Sequence, residues 1–377
     1  MKVIVAGDFA PQARLAKQIE EKRFSEVFPD NLRDIIKSAD FSFVNFESPI
    51  TEEDFKPIPK CGPNLSCTRE TAESVKYAGF TGVTMANNHI LDYGAEGLHK
   101  SVEYCSSQGL DIVGVGNNLE DAQKILYLEQ KRERLAVINC CEHEFSIATD
   151  TEAGANPLSP IRQFYAIQEA KKTADYVLVI VHGGHEHYQL PSPRMQETYR
   201  FFIDAGADAV VNHHQHCYSG YEVYQSKPIF YGLGNFCFDE NGQRDSFWNE
   251  GYMIMLEFKQ GHIDYELIPY TQCNETASVN LVQEKTVFLK NIAKLNEIIN
   301  NPSLLKEASN CYYESTIRAY NSLIQPYNNR VFSKLFSMNI LPSIFSKDKK
   351  IRLLNNINCE SHLDRFVFAL KKLIQNN

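Results

Sequence analysis

Several features that mark other protein classes are missing from this chain of 377 residues. Its net charge is -9, so it lacks the basic surplus of a nucleic-acid partner. No run approaches the ~20 apolar residues of a membrane-spanning helix. The first residues, MKVIVAGDFA, lack the apolar region of a signal peptide and are typical of a first strand. Ten cysteines, Cys140 and Cys141 among them, show no CxxC spacing, which argues against a zinc knuckle. These absences predict a cytoplasmic protein with no transmembrane segment.

The first 240 residues alternate short apolar runs with amphipathic stretches. The runs predict strands, and amphipathic stretches such as 70–77, 95–107 and 194–205 predict helices. This rhythm is typical of an α/β domain with a largely parallel sheet covered on both faces. The expected strands are 3–6, 41–46, 82–86, 111–115, 135–140, 176–181, 207–211 and 229–232.

The pattern changes after these strands. Residues 252–269 alternate around Gln260-Gly261, which predicts a β-hairpin. From about residue 278 the apolar positions recur at helical spacing to the end. We therefore expect two parts, an α/β domain over 1–277 and a helical C-terminal extension over 278–377.

Polar side chains follow the expected strands at the edge where ligands bind in open α/β sheets. The stretch VVNHHQHCYSG, residues 210–220, places three of the 11 histidines directly after an apolar run. Asp, Asn and Gly at these ends are also turn formers, but turn chemistry does not select histidine. A mixed shell of carboxylate, amide and imidazole suits Zn, Mn or Fe better than Ca or Mg. The sequence thus predicts one or two divalent metal ions at this edge.

Six ordered blocks carry a resemblance to a known family. They are GDFAP, NFESPIT, ANNHILDYGAEGLHKSVEYCSSQGLDIVGVGNNLEDA, VHGGHEHY, GADAVVNHHQH and YGLGNF. These blocks, spread from residue 1 to about 270, resemble the CapA family of bacterial capsule and poly-γ-glutamate synthesis proteins. That family is a branch of the calcineurin-like metallophosphoesterases. The resemblance implies an α/β/β/α fold of four layers, with two sheets between helices and a dinuclear metal centre above the strand ends.

The resemblance also implies roles for individual residues. Asp8 matches the first metal-binding aspartate, and Glu47 takes the place of the bridging aspartate. In the Asn88-His89 pair, the asparagine is expected to bind metal and the histidine to face the substrate. The remaining expected metal ligands are His182, His214 and His216.

This sequence departs from the family pattern at some positions. Phosphoesterases usually have a histidine two places after the first aspartate, whereas this chain has Ala10, so one metal position loses a ligand. His213 stands where the wider superfamily has glycine. His185 and His187 are additional, and each is expected either to join the metal shell or to be a solvated or structural histidine. Weaker candidates for substrate contact are Asn45, Lys60, Asn64, Arg69, His185, Glu186, His187, His213 and Asn235.

The expected chemistry is attack by a metal-bound water on a phosphoester in capsule or exopolymer metabolism. His89 would give a proton to the leaving group, and Asp92 would fix the tautomer of its ring. Asp92 has an alternative role, capping the helix that follows Gly94, and Lys60 has one as a solvated loop lysine.

Two other functions stay open. One is an accessory factor in capsule or poly-γ-glutamate synthesis without turnover, which the missing ligand at Ala10 favours. The other is a hydrolase of γ-glutamyl amides. The expected partners are an anionic small-molecule or polymer substrate, and capsule-synthesis machinery docked on the C-terminal helices.

Overall fold

The computed structural model describes residues 1–323 and 329–358, together with 362–363, 366–367 and 370. Its strands and helices alternate through the first 240 residues, as the sequence rhythm predicts. The strands are β1 (Lys2–Phe9), β2 (Phe41–Phe46), β3 (Gly82–Thr84), β4 (Asp111–Val113), β5 (Val115–Gly116), β6 (Leu126–Gln130), β7 (Glu133–Cys141), β8 (Gly154–Ala155), β9 (Tyr176–His182), β10 (Ala209–His213), β11 (Tyr221–Tyr224), β12 (Lys227–Phe230), β13 (Asn235–Cys237), β14 (Glu250–Lys259), β15 (His262–Gln272) and β16 (Val279–Leu281). The helices are α1 (Ala13–Glu20), α2 (Phe24–Val27), α3 (Asp30–Lys37), α4 (Glu70–Ala78), α5 (Gly94–Ser107), α6 (Leu119–Ala122), α7 (Pro160–Ala170), α8 (Pro193–Asp204), α9 (Thr286–Ile299), α10 (Pro302–Leu323), α11 (Arg330–Ser337) and α12 (Lys347–Asn358).

Two mixed sheets form the framework. The first has the order β16-β15-β14-β1-β2-β3-β4, with β13 also paired to β1. Its strands β1 to β4 are parallel, whereas β14, β15 and β16 run antiparallel to their neighbours. The second has the order β11-β12-β10-β9-β7-β6, and its four inner strands are parallel. Each sheet therefore contains a set of parallel strands whose carboxyl ends lie at one edge of that sheet.

Apolar side chains fill the space between the sheets and beyond them. Val3 and Val5 of β1 belong to the same buried cluster as Ile180 of β9 and Val211 of β10, so the sheets pack face to face. A second cluster joins the other face of the first sheet to helices α1 to α5. Helices α7 and α8 contact β7 and β10 of the second sheet. The expected four-layer α/β/β/α arrangement is thereby confirmed.

The structure differs from the expected elements in three places. Residues 111–115 form two strands and not one, because Gly114 adopts a φ of +97° between β4 and β5. Strand β10 begins two residues later than expected and includes His213, which therefore lies in a sheet and not in a loop. The segment after residue 278 begins with the strand β16, paired to β15, before any helix.

The chain divides into two compact units, Met1–Lys306 and Glu307–Asn377. The first extends beyond the boundary expected after residue 277, because β16 joins the first sheet and α9 packs on β11. In α9 the Asn296 side chain accepts a hydrogen bond of 2.7 Å from the Tyr221 backbone, and Ile292 and Ile299 are buried.

The second unit contains α11 and α12, and parts of the expected helical extension lie outside the described residues. Among the described residues, no helix combines the length and apolarity needed to cross a membrane.

Candidate metal centre

The first sheet places three polar side chains side by side at its edge. The register of β1 sets Asp8 opposite Asn45 of β2 and Asn235 of β13. This pairing requires glycine at position 7, because a Cβ there would lie 1.8 Å from the Gly234 carbonyl oxygen. That carbonyl accepts a hydrogen bond of 3.2 Å from the Asp8 backbone. Asp8 is therefore fixed by backbone contacts that only glycine at position 7 permits.

The second sheet supplies the histidines. His182 ends β9 and lies in register with His213, which ends β10. After β10 the chain turns sharply, with φ of +92° at His214 and +54° at His216. Non-glycine residues rarely adopt such values, and strain of this kind concentrates at functional sites. The turn brings His214 Nδ1 to 3.0 Å from His182 Nε2.

Five buried side chains form two overlapping groups of donors. One group contains Glu47, His182 and His214, and the other contains Asp8, Glu47 and His216. Within each group the donor atoms lie within 4.8 Å of one another. Glu47 Oε1 lies 3.5 Å from His182 Nε2 and 3.9 Å from His216 Nε2. Glu47 therefore stands between the groups, at the position where the family resemblance implies a bridging carboxylate.

The electrostatics of Glu47 suit a cation. Both of its carboxylate oxygens are buried without a hydrogen-bond partner. Burial, and then the charge of Asp8, raise the pKa of Glu47 well above its usual value. Burial also raises the pKa of Asp8 and lowers that of His182 well below its ordinary range, so the imidazole is neutral. An unpaired buried carboxylate is unfavourable unless it is neutralised, and a bound cation would neutralise it. The residues present thus fit a divalent metal.

Asn88 lies beside these groups, and an unexpected residue holds its amide. Its Oδ1 lies 3.0 Å from His182 Nε2, and its Nδ2 donates a hydrogen bond of 2.8 Å to Glu144 Oε2. This contact turns the amide oxygen toward His182. The sequence prediction did not include Glu144. It follows β7, another parallel strand that ends at this edge, so the strand-end rule applied to that strand would have included it.

Asn45 and Asn235 lie behind the donor groups and are completely buried. Asn45 Nδ2 donates a hydrogen bond of 2.7 Å to Asp8 Oδ1. Asn235 Oδ1 accepts one of 2.9 Å from His216 Nδ1, which leaves Nε2 of that ring facing Glu47. These two residues, expected as substrate contacts, therefore orient the donor side chains.

His89 is held by a buried ion pair. Its Nδ1 donates to Asp92 Oδ2 over 2.6 Å, and Lys60 Nζ contacts Asp92 Oδ1 and lies 3.0 Å from His89 Nδ1. The side chains of Lys60 and Asp92 are 1% and 0% exposed, so Lys60 is not the solvated lysine that was the alternative. The residue before α5 is Tyr93, and no side chain caps that helix. Asp92 therefore orients His89 and is not a helix cap.

The other expected candidates differ in where they lie. Asn64 Nδ2 donates to the backbone oxygen of Asp92 over 3.0 Å and so holds the loop before α4. Arg69 is an exposed residue paired with Glu70 over 3.1 Å. Glu186 Oε1 approaches His214 Nε2 to 4.0 Å.

The three remaining histidines lie outside both donor groups. His185 has its ring 6.4 Å from that of Tyr188, and the His187 ring lies 5.8 Å from that of Trp248. His213 is buried, and burial lowers its pKa to about 3, against a backbone hydrogen bond with Ala6 that raises it.

A cavity of about 530 Å³ opens beside the donor groups. His89 and His216 lie in its wall, together with Glu186 and His187. Because Nδ1 of His89 is held by Asp92, Nε2 is the ring nitrogen left for the cavity. Ala10, at the position of the missing histidine, is completely buried in an apolar cluster beneath.

The chain belongs to the bacterial capsule synthesis protein family PGA_cap, whose model matches residues 2–240. This confirms the family that the sequence blocks resemble. The chain is 34% identical over 252 residues to the capsule biosynthesis protein CapA of Bacillus anthracis, covering 65% of this chain and 61% of that protein. It is 35% identical over 243 residues to the PGA biosynthesis protein CapA of Bacillus subtilis (strain 168), covering 63% of each. The match therefore spans less than two thirds of either relative's length.

A solved structure of a phosphatase from Mycoplasma pneumoniae aligns with 73% of this chain and 95% of its own, at 17% identity and a TM-score of 0.45.

Proposed function

We propose that this chain is a hydrolase of phosphoesters that depends on a divalent metal and acts in capsule or exopolymer metabolism. The observation that carries the proposal is the buried Glu47 carboxylate, unpaired between two groups of donors. Glu47, His182 and His214 would hold one ion, and Asp8, Glu47 and His216 the other, with Asn88 adding its amide oxygen. Divalent ions bound there would supply Lewis-acid activation of water and of the phosphoryl group. Zn, Mn and Fe are the ions that such a donor set favours.

His89 supplies the proton in this proposal. Its Nδ1 donates to Asp92 and its Nε2 is the nitrogen left for the cavity, so the doubly protonated ring can give its Nε2 proton to the oxygen of the departing alcohol and become neutral. A positioned general acid contributes roughly 10²–10⁴-fold to the rate. Lys60 keeps Asp92 in place and thereby keeps the orientation of the ring.

The setting is inferred from the relatives, whose names place them in capsule and PGA biosynthesis. Association with such machinery is proposed through the C-terminal helices. There α11 and α12 leave Val331, Phe332, Ile351 and Leu354 between 45% and 66% exposed. Binding of another protein to these helices would remove this apolar surface from water.

The second candidate function is an accessory factor without turnover. Ala10 favours it, because apolar packing with Leu65, Phe238 and Trp248 occupies the place of a histidine ligand. The second donor group is then limited to Asp8, Glu47 and His216. A relative in Mycobacterium tuberculosis, 27% identical over 243 residues, bears the name of a probable polyglutamine synthesis accessory protein.

The test has two stages on the full chain. Purified protein should contain a transition metal, or take one up from Mn, Zn or Fe, at roughly one to two equivalents. Reconstituted protein should hydrolyse alkyl phosphoesters, and His89→Ala should keep its metal yet lose roughly 10²–10⁴-fold in activity. A nitrophenyl ester, whose leaving group needs no proton, should lose much less.

The matched control is His99→Ala, because His99 is an exposed histidine outside the donor groups and the cavity lining, with a bond of 2.9 Å to Asn117. It should leave both metal content and activity unchanged. Protein that takes up no metal would contradict the metal centre. Metal uptake without turnover of any ester would favour the accessory factor.

A further inference from the structure

The cavity beside the donor groups has an aromatic floor. Phe238 and Trp248 meet edge to face with ring centres 4.8 Å apart, and Leu65 lies in the same buried cluster. The His216 ring lies 5.0 Å from Trp248, so the floor is continuous with the candidate metal centre. A group attached to a phosphate held at the centre would therefore lie over these rings. Aromatic faces of this kind bind cations, and they also pack against the C–H face of a ring.

The rim of the cavity is acidic. Glu186 and Glu240 contribute exposed carboxylates, and Gln12 and Asn241 contribute amides. None of the residues that line the cavity, all of them within the described part of the chain, is a lysine or an arginine. The described lining therefore has no lysine or arginine to pair with the rim carboxylates, and a ligand with hydroxyl or ammonium donors would complement them.

A third carboxylate in the lining, Asp239, is already neutralised. The guanidinium of Arg14 donates to it twice, over 2.8 and 3.0 Å, and Arg244 lies 3.1 Å from it. These arginines are thereby committed to Asp239 and do not provide an anion site in the cavity. The carboxylates left to meet a ligand are those of Glu186 and Glu240.

Size and polarity point to one class of ligand. The volume of about 530 Å³ lies within the range of small-molecule sites and exceeds the needs of a phosphate alone. A sugar ring offers a C–H face for the floor and hydroxyl or ammonium donors for the rim. A chain that bears a carboxylate on every unit would set like charges against Glu186 and Glu240, which is unfavourable.

We propose that this cavity binds the alcohol part of the phosphoester and selects an uncharged or cationic sugar ring over an anionic one. The substrate class is then a sugar or amino-sugar phosphate, and not a γ-glutamyl chain. This inference rests on the proposed function for its phosphate, but the selection of the ring can be measured without hydrolysis.

Trp248 makes the measurement direct, because it is the single tryptophan of the chain and lies in the cavity floor. The full chain without added metal is titrated with glucosamine, glucose and glucuronic acid, which share a ring and differ in charge. Trp248 fluorescence should change with glucosamine and glucose, and glucuronic acid should bind at least about tenfold more weakly. Equal binding of all three sugars, or no change with any of them, would overturn the proposal.

Variants then test the rim. Glu186→Gln combined with Glu240→Gln alters two exposed side chains and should reduce the difference between glucosamine and glucuronic acid to about threefold or less. Glu257→Gln is the matched control, since Glu257 lies on β14 outside the cavity lining, and the difference should be unchanged. A difference that persists in the double variant would refute the role of the rim. Sugar selection without ester hydrolysis would support the cavity and contradict only the proposed function.

Discussion

The buried pair of Lys60 and Asp92 gives a quantitative test of how His89 is held. Replacing Lys60 with methionine keeps an unbranched side chain one atom shorter and removes its charge. The exposed fractions of the two side chains are 1% and 0%, so solvent does not screen the charge that remains on Asp92. Breaking a buried pair by removing one partner costs about 3–5 kcal/mol. Asp92 retains bonds from His89 Nδ1 and from the Leu65 backbone, both 2.6 Å, so we expect the lower end, about 3 kcal/mol.

The assay is the free energy of unfolding from urea titration of the full chain. Lys22→Met is the matched control, because Lys22 and Glu73 pair over 2.6 Å with side chains 52% and 32% exposed. Such an exposed pair contributes about 0–1 kcal/mol. Combining Lys60→Met with Asp92→Asn removes the uncompensated charge and should be less destabilising than Lys60→Met alone. Equal losses for the Lys60 and Lys22 variants would refute the reasoning.

Three further predictions concern other parts of the chain. His214→Ala should lower metal content measured by elemental analysis, whereas His262→Ala should not, because His262 is exposed on the hairpin. Burial lowers the pKa of His213 from 6.5 to about 3, so the unfolded chain binds its proton first as the pH falls. Wild-type stability should therefore decrease relative to His213→Leu below pH 6.5, by about 3 kcal/mol at pH 4, in urea titrations. A chain ending at residue 306 should unfold cooperatively in circular dichroism, and one ending at residue 277 should not, because it lacks α9.

The order of the elements was predictable because the periodicity is strong in the inner strands. β7, β9 and β10 are buried on both faces, so they consist of apolar runs with little ambiguity. The edge strands β6 and β11 carry mixed polarity and were not predicted. The described residues of α9 to α12 are helical, as the periodicity predicts, but the periodicity gave no information on where the first unit ends. That depends on the contact between α9 and β11, which joins residues 75 positions apart.

The donor side chains were predictable for a different reason. Parallel strands end at one edge, so residues directly after them converge whatever the detailed packing. Asp8 lies near the end of β1, Glu47 directly after β2, His182 at the end of β9, and His214 and His216 after β10, so all of them lie at this edge, and the structure brings them together. Their backbone conformation could not be predicted, because nothing in the sequence near His214 indicates a φ of +92°. Such a value depends on contacts from outside the turn, among them the bond from the His214 backbone to Asp8.

Lys60 shows where reasoning from local sequence stops. A lysine in a loop rich in proline and glycine is ordinarily solvated, and nothing beside it in the chain contradicts that. Its burial depends on Asp92, which lies 32 residues further on. The Asp92 backbone oxygen accepts bonds from Ile58 and Asn64, while its carboxylate accepts from His89. Asp92 therefore fixes the loop that contains Lys60 and also orients the His89 ring. A substitution that loosens this loop should for that reason also disturb His89.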